Sequence, residues 1–337
     1  MQTFTDEKIS QLKNYIQQSS QIIIVAHKSP DGDSVGSSLG LYNYLKKKGK
    51  SCTVCHPDPA PEFLNWMPGF EDILNFEEHE SEVKKKFEKT DLVFCLDFNE
   101  LGRLGSGMKN VVESSSAPRV MIDHHLDPAN DFSLTFSETS SCSTAQLIYD
   151  CIDALGDKKM LDTNIGEPLY CGIMTDSGSF RFPSTSPHTH EVIAELMKAG
   201  VKNYKIHEAV YDNNTLDRLK LRAYAINEKM EIIQEYDTAI ISLSKEEQDR
   251  FNYIKGDTEG LVNVGLSING IRKSIFCMDG DGIIKISFRS KGDDNPVNQM
   301  ASKYFGGGGH ANASGGKWDG SMEDAIKKLK EVLPEFS

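Results

Sequence analysis

Six side chains that can bind a metal ion occur along the first half of the sequence, each close to the end of an apolar run or beside a helical one. They are His27, Asp31, Asp33, Asp97, His124 and Asp176. Four aspartates brought together would repel one another strongly, and bound cations relieve such repulsion. Aspartate and histidine ligands with oxygen in excess suit Mn²⁺, with Mg²⁺ or Co²⁺ as alternatives. Cations bound there could activate a water molecule, so the residues predict a metal centre capable of hydrolysis.

These side chains meet only if the runs beside them belong to one sheet. Apolar runs typical of buried strands occupy residues 21–27, 51–56, 91–98 and 119–125, and helical periodicity occupies 34–48, 143–155 and 165–174. Buried strands that alternate with helices indicate a parallel sheet covered on both faces. Ligands of such sheets lie beyond the carboxyl ends of the strands. The sequence therefore predicts an α/β fold whose amino-terminal part is a doubly wound, mostly parallel sheet, with the metal centre at that edge.

Two rival motifs near the first predicted helix lack the context that their chemistry needs. Asp31 and Asp33 resemble the start of a calcium loop, but the twelfth position is Tyr42, where such a loop has glutamate. The sequence GSSLG at 36–40 matches a nucleophile elbow, which needs its serine on a tight turn after a strand. Ser38 lies well inside the predicted helix, so the small residues more simply let this helix pack closely on the sheet. The structural alternative for Asp33 is the role of a helix N-cap.

The second half predicts a helical connector and a second, smaller α/β domain. We expect residues 1–186 to form the first domain, 187–234 a connector of consecutive helices without a strand, and 235–337 the second domain. Strand-like runs occupy 238–243, 273–278 and 282–288, and helical runs occupy 297–304 and 322–332. The sequence Asp-Gly-Asp-Gly at 279–282 favours a hairpin turn between two of these strands.

Composition limits the partners that this protein can have. A net charge of −13 disfavours coating of long nucleic acid, which needs a broad basic face. A small phosphate ester stays compatible, because a metal ion or a few arginines can invert the field locally. The apolar runs are too short for a membrane span, and the first residues lack the pattern of a signal peptide. Seven scattered cysteines favour reduced thiols. We expect a cytoplasmic protein without a membrane or long duplex nucleic acid as partner.

The order of these motifs resembles that of the DHH phosphoesterase family. The motifs are HKSPDGD at 27–33, Leu96-Asp97, Asp123-His124-His125, and Thr175-Asp176-Ser177-Gly178. The run FGGGGH at 305–310 resembles the glycine-rich signature of the DHH-associated substrate domain. The resemblance spans residues 27 to 316. It points to the bacterial group that degrades very short RNA oligonucleotides (nanoRNA) and dephosphorylates 3′-phosphoadenosine 5′-phosphate (pAp).

The resemblance implies a role for each residue of the centre. His27 and Asp31 would hold one Mn²⁺ and Asp33 and His124 the other, with Asp97 bridging the two ions and Asp176 completing the shells. Asp123 would orient a neighbouring histidine. His125 would face the phosphate as a charge stabiliser or proton donor.

Substrate selection would fall to the second domain. The candidates are Arg289, Ser290, Gly307, Gly308, Gly309 and His310, with Arg103 and Arg181 as further phosphate ligands near two of the metal motifs. A glycine loop exposes backbone N–H groups to phosphate, and the alternative for this run is a flexible turn. The family signature continues with two alanines and a glycine, whereas this chain has Ala313-Ser314-Gly315.

The expected function is hydrolysis of nanoRNA to 5′-mononucleotides, of pAp to AMP, or of both. Alternatives are cleavage of linear or cyclic dinucleotides, an activity on pyrophosphate or polyphosphate, and a non-catalytic nucleotide-binding protein that has kept the fold. The sequence leaves open the preferred substrate, the direction of exonuclease cleavage, the native metal and the oligomeric state, with a homodimer among the options.

Overall fold

The computed structural model describes residues 3–280, 282–292 and 294–336. The chain forms two compact units, Met1–Asn213 and Asn214–Ser337. The boundary between them falls inside the predicted connector, and the division at residues 186 and 234 stays a prediction. None of the described helices is long and apolar enough to cross a membrane.

The amino-terminal unit contains a six-stranded sheet with helices around it. Its helices are α1 (Asp6–Gln18), α2 (Gly32–Lys47), α3 (Phe76–Phe87), α4 (Gly105–Ser114), α5 (Thr144–Ala154), α6 (Thr163–Asp176), α7 (Pro187–Lys198) and α8 (Asn203–Tyr211). Its strands are β1 (Gln21–Ala26), β2 (Ser51–His56), β3 (Leu74–Asn75), β4 (Leu92–Leu96), β5 (Arg119–Asp123) and β6 (Leu134–Ser137). Among these are all the strands and helices predicted for this part of the chain, with ends that shift by a few residues.

The sheet is parallel throughout, in the order β3-β2-β1-β4-β5-β6. Ile22 and Ile24 of β1 pack into one apolar cluster, while Ile23 and Val25 pack into another. A strand buried on both faces needs this unbroken apolar run. The predicted doubly wound parallel sheet is therefore confirmed. The strand order reverses between β1 and β4, which is where such sheets bind ligands.

Three glycines bring α2 against α6. Gly32, Gly36 and Gly40 are spaced by four residues and so lie on one face of the helix. A Cβ on Gly36 would lie 2.4 Å from the carbonyl oxygen of Pro168 in α6. The expectation that the small residues at 36–40 serve packing on the sheet is corrected for the glycines, which face α6, whereas Oγ of Ser38 lies 3.1 Å from Nε2 of His56 in β2. Ser38 is fully buried within α2, where its hydroxyl donates to the Ser34 carbonyl at 2.7 Å, so it is no nucleophile.

The carboxy-terminal unit contains a second, mixed sheet. Its strands are β7 (Met230–Ile233), β8 (Thr238–Leu243), β9 (Lys273–Gly280), β10 (Ile283–Ser290), β11 (Gly308–His310) and β12 (Ala313–Trp318). Its helices are α9 (Leu216–Asn227), α10 (Lys245–Arg250), α11 (Leu261–Leu266), α12 (Asn298–Phe305) and α13 (Met322–Val332). The sheet order is β11-β12-β10-β9-β8-β7, with β8 and β9 parallel and the other pairs antiparallel.

Two predictions about the second half are corrected. Residues 187–234 are not free of strands, because β7 pairs antiparallel with β8 along a register from Met230–Ile241 to Ile233–Thr238. The glycine run is a loop only in its first half, because Gly308 and Gly309 belong to the edge strand β11. β9 and β10 form the predicted hairpin, although Asp281 of its turn lies outside the described residues.

Candidate metal centre

The predicted metal-binding side chains start from neighbouring ends of three strands and two helices. His27 follows β1, Asp97 follows β4, and His124 follows β5. The first two strands flank the reversal of strand order. Asp97 has a φ of +63°, a conformation that few residues other than glycine adopt and that recurs at functional sites. This backbone turns its carboxylate back toward the strand ends, among the histidines measured below.

The first cluster consists of His27, Asp31 and Asp97, whose ligand atoms all lie within 4.8 Å of one another. The Nε2 atom of His27 lies 3.7 Å from Oδ2 of Asp31 and 3.4 Å from Oδ2 of Asp97. Asp31 is the N-cap of α2, and its Oδ1 accepts from the backbone N–H groups of Asp33 and Ser34. One oxygen therefore caps the helix while the other faces the histidine.

The second cluster consists of Asp33, His124 and Asp176. Nε2 of His124 lies 3.5 Å from Oδ2 of Asp176 and 3.9 Å from Oδ2 of Asp33. Asp33 is inside α2 and does not cap it, so the N-cap alternative for this residue is wrong. Asp176 is the last residue of α6. The close packing of α2 on α6 thus sets the spacing within this cluster.

Asp97 is a member of the first cluster and also faces the second. Its Oδ2 lies 3.4 Å from Nε2 of His27, and its Oδ1 lies 3.6 Å from Nε2 of His124. The side chain is only 2% exposed. A carboxylate that faces one cluster with each oxygen has the arrangement needed to connect two cations.

His27 and His124 each have an Nε2 lone pair that a metal ion can use. Nδ1 of His27 lies 2.8 Å from the carbonyl oxygen of Lys28, and Nδ1 of His124 lies 3.3 Å from that of Ser141. A carbonyl only accepts, so Nδ1 carries the proton and the neutral ring keeps a lone pair on Nε2. A backbone carbonyl behind a histidine is a common feature of metal sites.

The close carboxylates of the centre shift the pKa values of its own titratable groups. Burial raises the pKa of Asp33 well above its ordinary value, and the negative charges of Asp97 and Asp176 raise it further. Burial alone would lower the pKa of His27, but the carboxylates of Asp31 and Asp97 raise it well above the ordinary value. Burial opposes ionisation of Asp97, yet His27 holds the pKa of that carboxyl below its usual range. The raised pKa values of Asp33 and His27 mean that both groups bind a proton more readily than usual, so the site lacks positive charge. Divalent cations would supply that charge.

Asp123 and His125 form a pair beside the clusters. Nδ1 of His125 donates to Oδ1 of the fully buried Asp123 at 2.7 Å. Among the described residues, Oδ2 of Asp123 has no hydrogen-bond partner. Burial would lower the pKa of His125, but the bond to Asp123 and the charge of Asp97 raise it. The exposed Arg103 opposes this rise, so its charge acts on the same histidine.

The segment 141–145 was not predicted as part of the centre, yet it contacts three of the six side chains. Both oxygens of Asp33 accept backbone N–H groups at the start of α5, from Thr144 at 2.7 Å and Ala145 at 2.8 Å. The Thr144 hydroxyl donates to Oδ1 of Asp97 at 3.0 Å. Most of these contacts use backbone atoms, which side-chain identity does not reveal. The only signal in the sequence was a polar stretch at 138–144, where the predicted helix 143–155 starts after the predicted strand 119–125.

The candidate substrate residues of the carboxy-terminal unit lie on β10, β11 and the turn before β11. Arg289 is in β10, where its Nη1 donates to the neighbouring Phe288 carbonyl at 2.9 Å. Ser290 ends that strand, and its buried Oγ has no hydrogen-bond partner in the described chain. Gly307 lies so close to β12 that a Cβ would meet the Gly315 carbonyl oxygen. The remaining candidates are Gly308, Gly309 and His310 of β11.

Comparison with known proteins places the chain in a family. Residues 21–173 match the model described as DHH family, N-terminal domain, and residues 248–335 match that of the DHHA1 domain. Over 93% of its length, the chain is 30% identical to the bifunctional oligoribonuclease and PAP phosphatase NrnA of Thermus thermophilus, of which it covers 89%. The chain belongs to the DHH phosphoesterase family. This membership confirms the resemblance read from the motifs.

Two further relatives of this DHH protein extend over nearly its whole length. It is 28% identical to the bifunctional oligoribonuclease and PAP phosphatase NrnA of Bacillus subtilis, with 88% of this chain and 90% of that protein covered. It also matches the crystal structure of an exopolyphosphatase-related protein from Bacteroides fragilis with a TM-score of 0.95 and 38% identity. That match covers 98% of this chain and 97% of the other. Each of these relatives therefore has a counterpart of both units of this chain.

Proposed function

We propose that this protein is a two-metal phosphoesterase that hydrolyses nanoRNA to 5′-mononucleotides and pAp to AMP. The observation that carries the proposal is Asp97, whose two oxygens face two separate groups of ligands at 3.4 and 3.6 Å. A structural metal site would be closed and would hold a single ion, whereas paired open sites are typical of phosphoryl-transfer enzymes. The names of the relatives from Thermus thermophilus and Bacillus subtilis support the substrates.

Each cluster would hold one divalent cation. His27 and Asp31 would ligate the first ion, Asp33, His124 and Asp176 the second, and Asp97 both. The excess of carboxylate oxygen over imidazole nitrogen favours Mn²⁺, with Mg²⁺ or Co²⁺ as substitutes. Ions bound there would activate water and neutralise charge on the phosphoryl oxygens.

His125 and Arg103 would bind the phosphate, with His125 positioned by Asp123 and able to donate a proton. Asp123 fixes the Nδ1 proton of His125 and favours the charged ring, which directs Nε2 to the opposite side. We assign to that ring the stabilisation of a phosphoryl oxygen or the protonation of the leaving oxygen. Arg103, whose charge acts on His125, would bind the same phosphate.

Selection of the substrate is assigned to the carboxy-terminal unit. Arg289 and Ser290 at the end of β10 and the edge strand β11 would bind the base or the second phosphate. An edge strand has one side that faces away from its neighbouring strand, so Gly308 or Gly309 of β11 could donate a backbone N–H to a phosphate as the predicted loop would have done. His310 at the end of β11 adds a further side chain that could donate to the phosphate.

A second candidate function is hydrolysis of short polyphosphate. The name of the Bacteroides fragilis protein, exopolyphosphatase-related, favours it. The two functions differ in their need for a base and a ribose. A side-by-side assay on a labelled diribonucleotide, pAp, tripolyphosphate and pyrophosphate would separate them. Our proposal predicts turnover of the diribonucleotide or pAp at least tenfold above that of tripolyphosphate. Faster turnover of tripolyphosphate would refute it in favour of polyphosphate hydrolysis.

The variant Asp97→Asn tests the metal scheme. Asparagine tolerates a positive φ better than alanine, so this change removes charge at little backbone cost. We expect hydrolysis to fall by at least about a thousandfold while the chain stays folded, because both ions lose a ligand. Mn²⁺-dependent activity close to that of the unaltered chain would refute the two-metal scheme. Absence of turnover in the unaltered chain, with every divalent cation, would instead favour a nucleotide-binding protein.

The remaining expectations are part of the same proposal. A trinucleotide labelled at one end would reveal the direction of cleavage from the first product released. We place the protein in the cytoplasm, where short RNA fragments arise. Size measurement by light scattering would decide between monomer and homodimer.

A further inference from the structure

The first turn of α5 contacts the proposed metal ligands with both backbone and side-chain groups. Backbone N–H groups of Thr144 and Ala145 hold the two oxygens of Asp33, and the Ser141 carbonyl accepts from His124. The one side-chain contact in this set is the Thr144 hydroxyl, which donates to Oδ1 of Asp97 at 3.0 Å. It is therefore the contact that a substitution can remove by itself.

Thr144 does not cap the helix that it starts. The N-cap of α5 is Ser143, whose hydroxyl accepts from the backbone N–H of Gln146. The Thr144 side chain is fully buried, and its hydroxyl donates to Asp97 and not to a backbone group of α5. Its hydroxyl thus acts on Asp97 and is not required by the helix.

The position of this donor distinguishes the two oxygens of Asp97. Oδ1, which accepts from Thr144, is the oxygen 3.6 Å from His124, and Oδ2 is the oxygen 3.4 Å from His27. The terminal torsion of an aspartate is broad, so the backbone alone does not fix how its carboxylate is rotated. A single donor on one oxygen fixes that rotation and sends one oxygen to each cluster.

We propose that Thr144 is a positioning residue that assigns the two oxygens of Asp97 to different metal ions. The inference rests on the proposed two-metal function. Since the hydroxyl holds Oδ1, its loss weakens chiefly the ion of the Asp33, His124 and Asp176 cluster. The ion of the His27 and Asp31 cluster keeps its own ligands and Oδ2.

The test is a calorimetric titration of the metal-free, full-length chain with Mn²⁺. Thr144→Val removes the hydroxyl at nearly constant volume, and Thr144→Ser restores it. Thr238→Val is the matched control, because Thr238 is an equally buried threonine of the other unit whose hydroxyl donates to the Tyr236 carbonyl. Thermal unfolding of each metal-free chain separates loss of a metal contact from loss of the fold.

We expect Thr144→Val to weaken one of two binding steps by about 10–100-fold, the usual effect of losing a partner of a metal ligand. Thr144→Ser and Thr238→Val should bind both ions as the unaltered chain does. Unchanged binding by Thr144→Val would overturn the inference, as would equal weakening of both steps or failure of Thr144→Ser to restore affinity. If Thr144→Val does not fold, Thr144→Ala removes the same hydroxyl and is judged by the same outcomes. An unaltered chain that binds fewer than two ions would refute the proposed function itself, a result that no Thr144 variant can mimic.

Discussion

The packing of α2 on α6 predicts that one added methyl group disturbs both stability and catalysis. In Gly36→Ala the new Cβ would lie 2.4 Å from the Pro168 carbonyl oxygen and 3.0 Å from the backbone nitrogen of Gly172. Neither atom can rotate away, so the helices must separate by about 1 Å to restore ordinary contact distances. Overpacking of this kind costs about 1–3 kcal/mol, and the better helix propensity of alanine returns about 0.5–1 kcal/mol. We expect a net loss of about 1–2 kcal/mol in the free energy of unfolding.

The same displacement reaches the metal centre, because α2 carries Asp33 and α6 ends in Asp176. A misplacement of about 1 Å in a catalytic group can lower a rate about a hundredfold. The control is Gly40→Ala, whose Cβ meets only the side chain of Leu169 at close range, with the nearest backbone atom 3.6 Å away. A leucine can change rotamer, so this variant should lose less stability and retain most of its activity.

Urea unfolding of the metal-free chains and initial rates on a diribonucleotide with Mn²⁺ would measure both effects. The expected order of stability is the unaltered chain, then Gly40→Ala, then Gly36→Ala, with a large loss of rate in Gly36→Ala alone. A Gly36→Ala chain that is as stable and as active as the unaltered one would refute the packing argument. Equal losses of rate in both variants would show that the backbone clash is not the cause.

Two further predictions concern stability. His188→Ala removes a 2.7 Å contact to the buried carboxylate of Asp150. Burial alone would lower the pKa of His188, but the bond to Asp150 and the charges of Asp150 and Glu191 together raise it. That stabilisation is lost as the pH rises through the raised pKa of His188, and it also weakens below about pH 6, because burial raises the pKa of Asp150 to about 6 and that carboxylate then takes up a proton. The unfolding free energies should therefore differ by about 1 kcal/mol at pH 6 and by less at pH 9, since His188 is partly exposed; a constant or growing difference would contradict the assignment. Gly307→Ala should lower the stability of the carboxy-terminal unit by about 1–3 kcal/mol, because its Cβ would lie 1.8 Å from the Gly315 carbonyl oxygen. Gly308→Ala, with no atom within 4 Å of its Cβ, should have little effect on urea unfolding, and equal effects of the two variants would refute this reasoning.

The parallel sheet could be predicted because its strands are buried on both faces. The buried part of β1, residues 22–26, contains no polar residue, and polar side chains return only where the strand ends. That pattern indicated both the strands and the edge where His27, Asp97 and His124 meet. The strand order needed the structure, since periodicity is the same in any order of pairing.

The parts that sequence reasoning missed depend on backbone groups. The hydrogen bonds from Thr144 and Ala145 to Asp33 use backbone N–H groups that almost any residue would provide. Residue types therefore do not reveal these bonds. The glycine run has the composition of a loop, yet Gly307 is needed for close approach to Gly315 and the next residues pair as β11. β7 is four residues long and half exposed, which leaves too weak an apolar pattern to separate it from the preceding helix.

The central claim is that two cations flank Asp97. Crystals grown with Mn²⁺ would test it directly through anomalous difference density measured at the manganese edge. We predict two peaks about 3.5–4 Å apart, one beside His27 and Asp31 and the other beside Asp33, His124 and Asp176. One peak, or none at these side chains, would contradict the account.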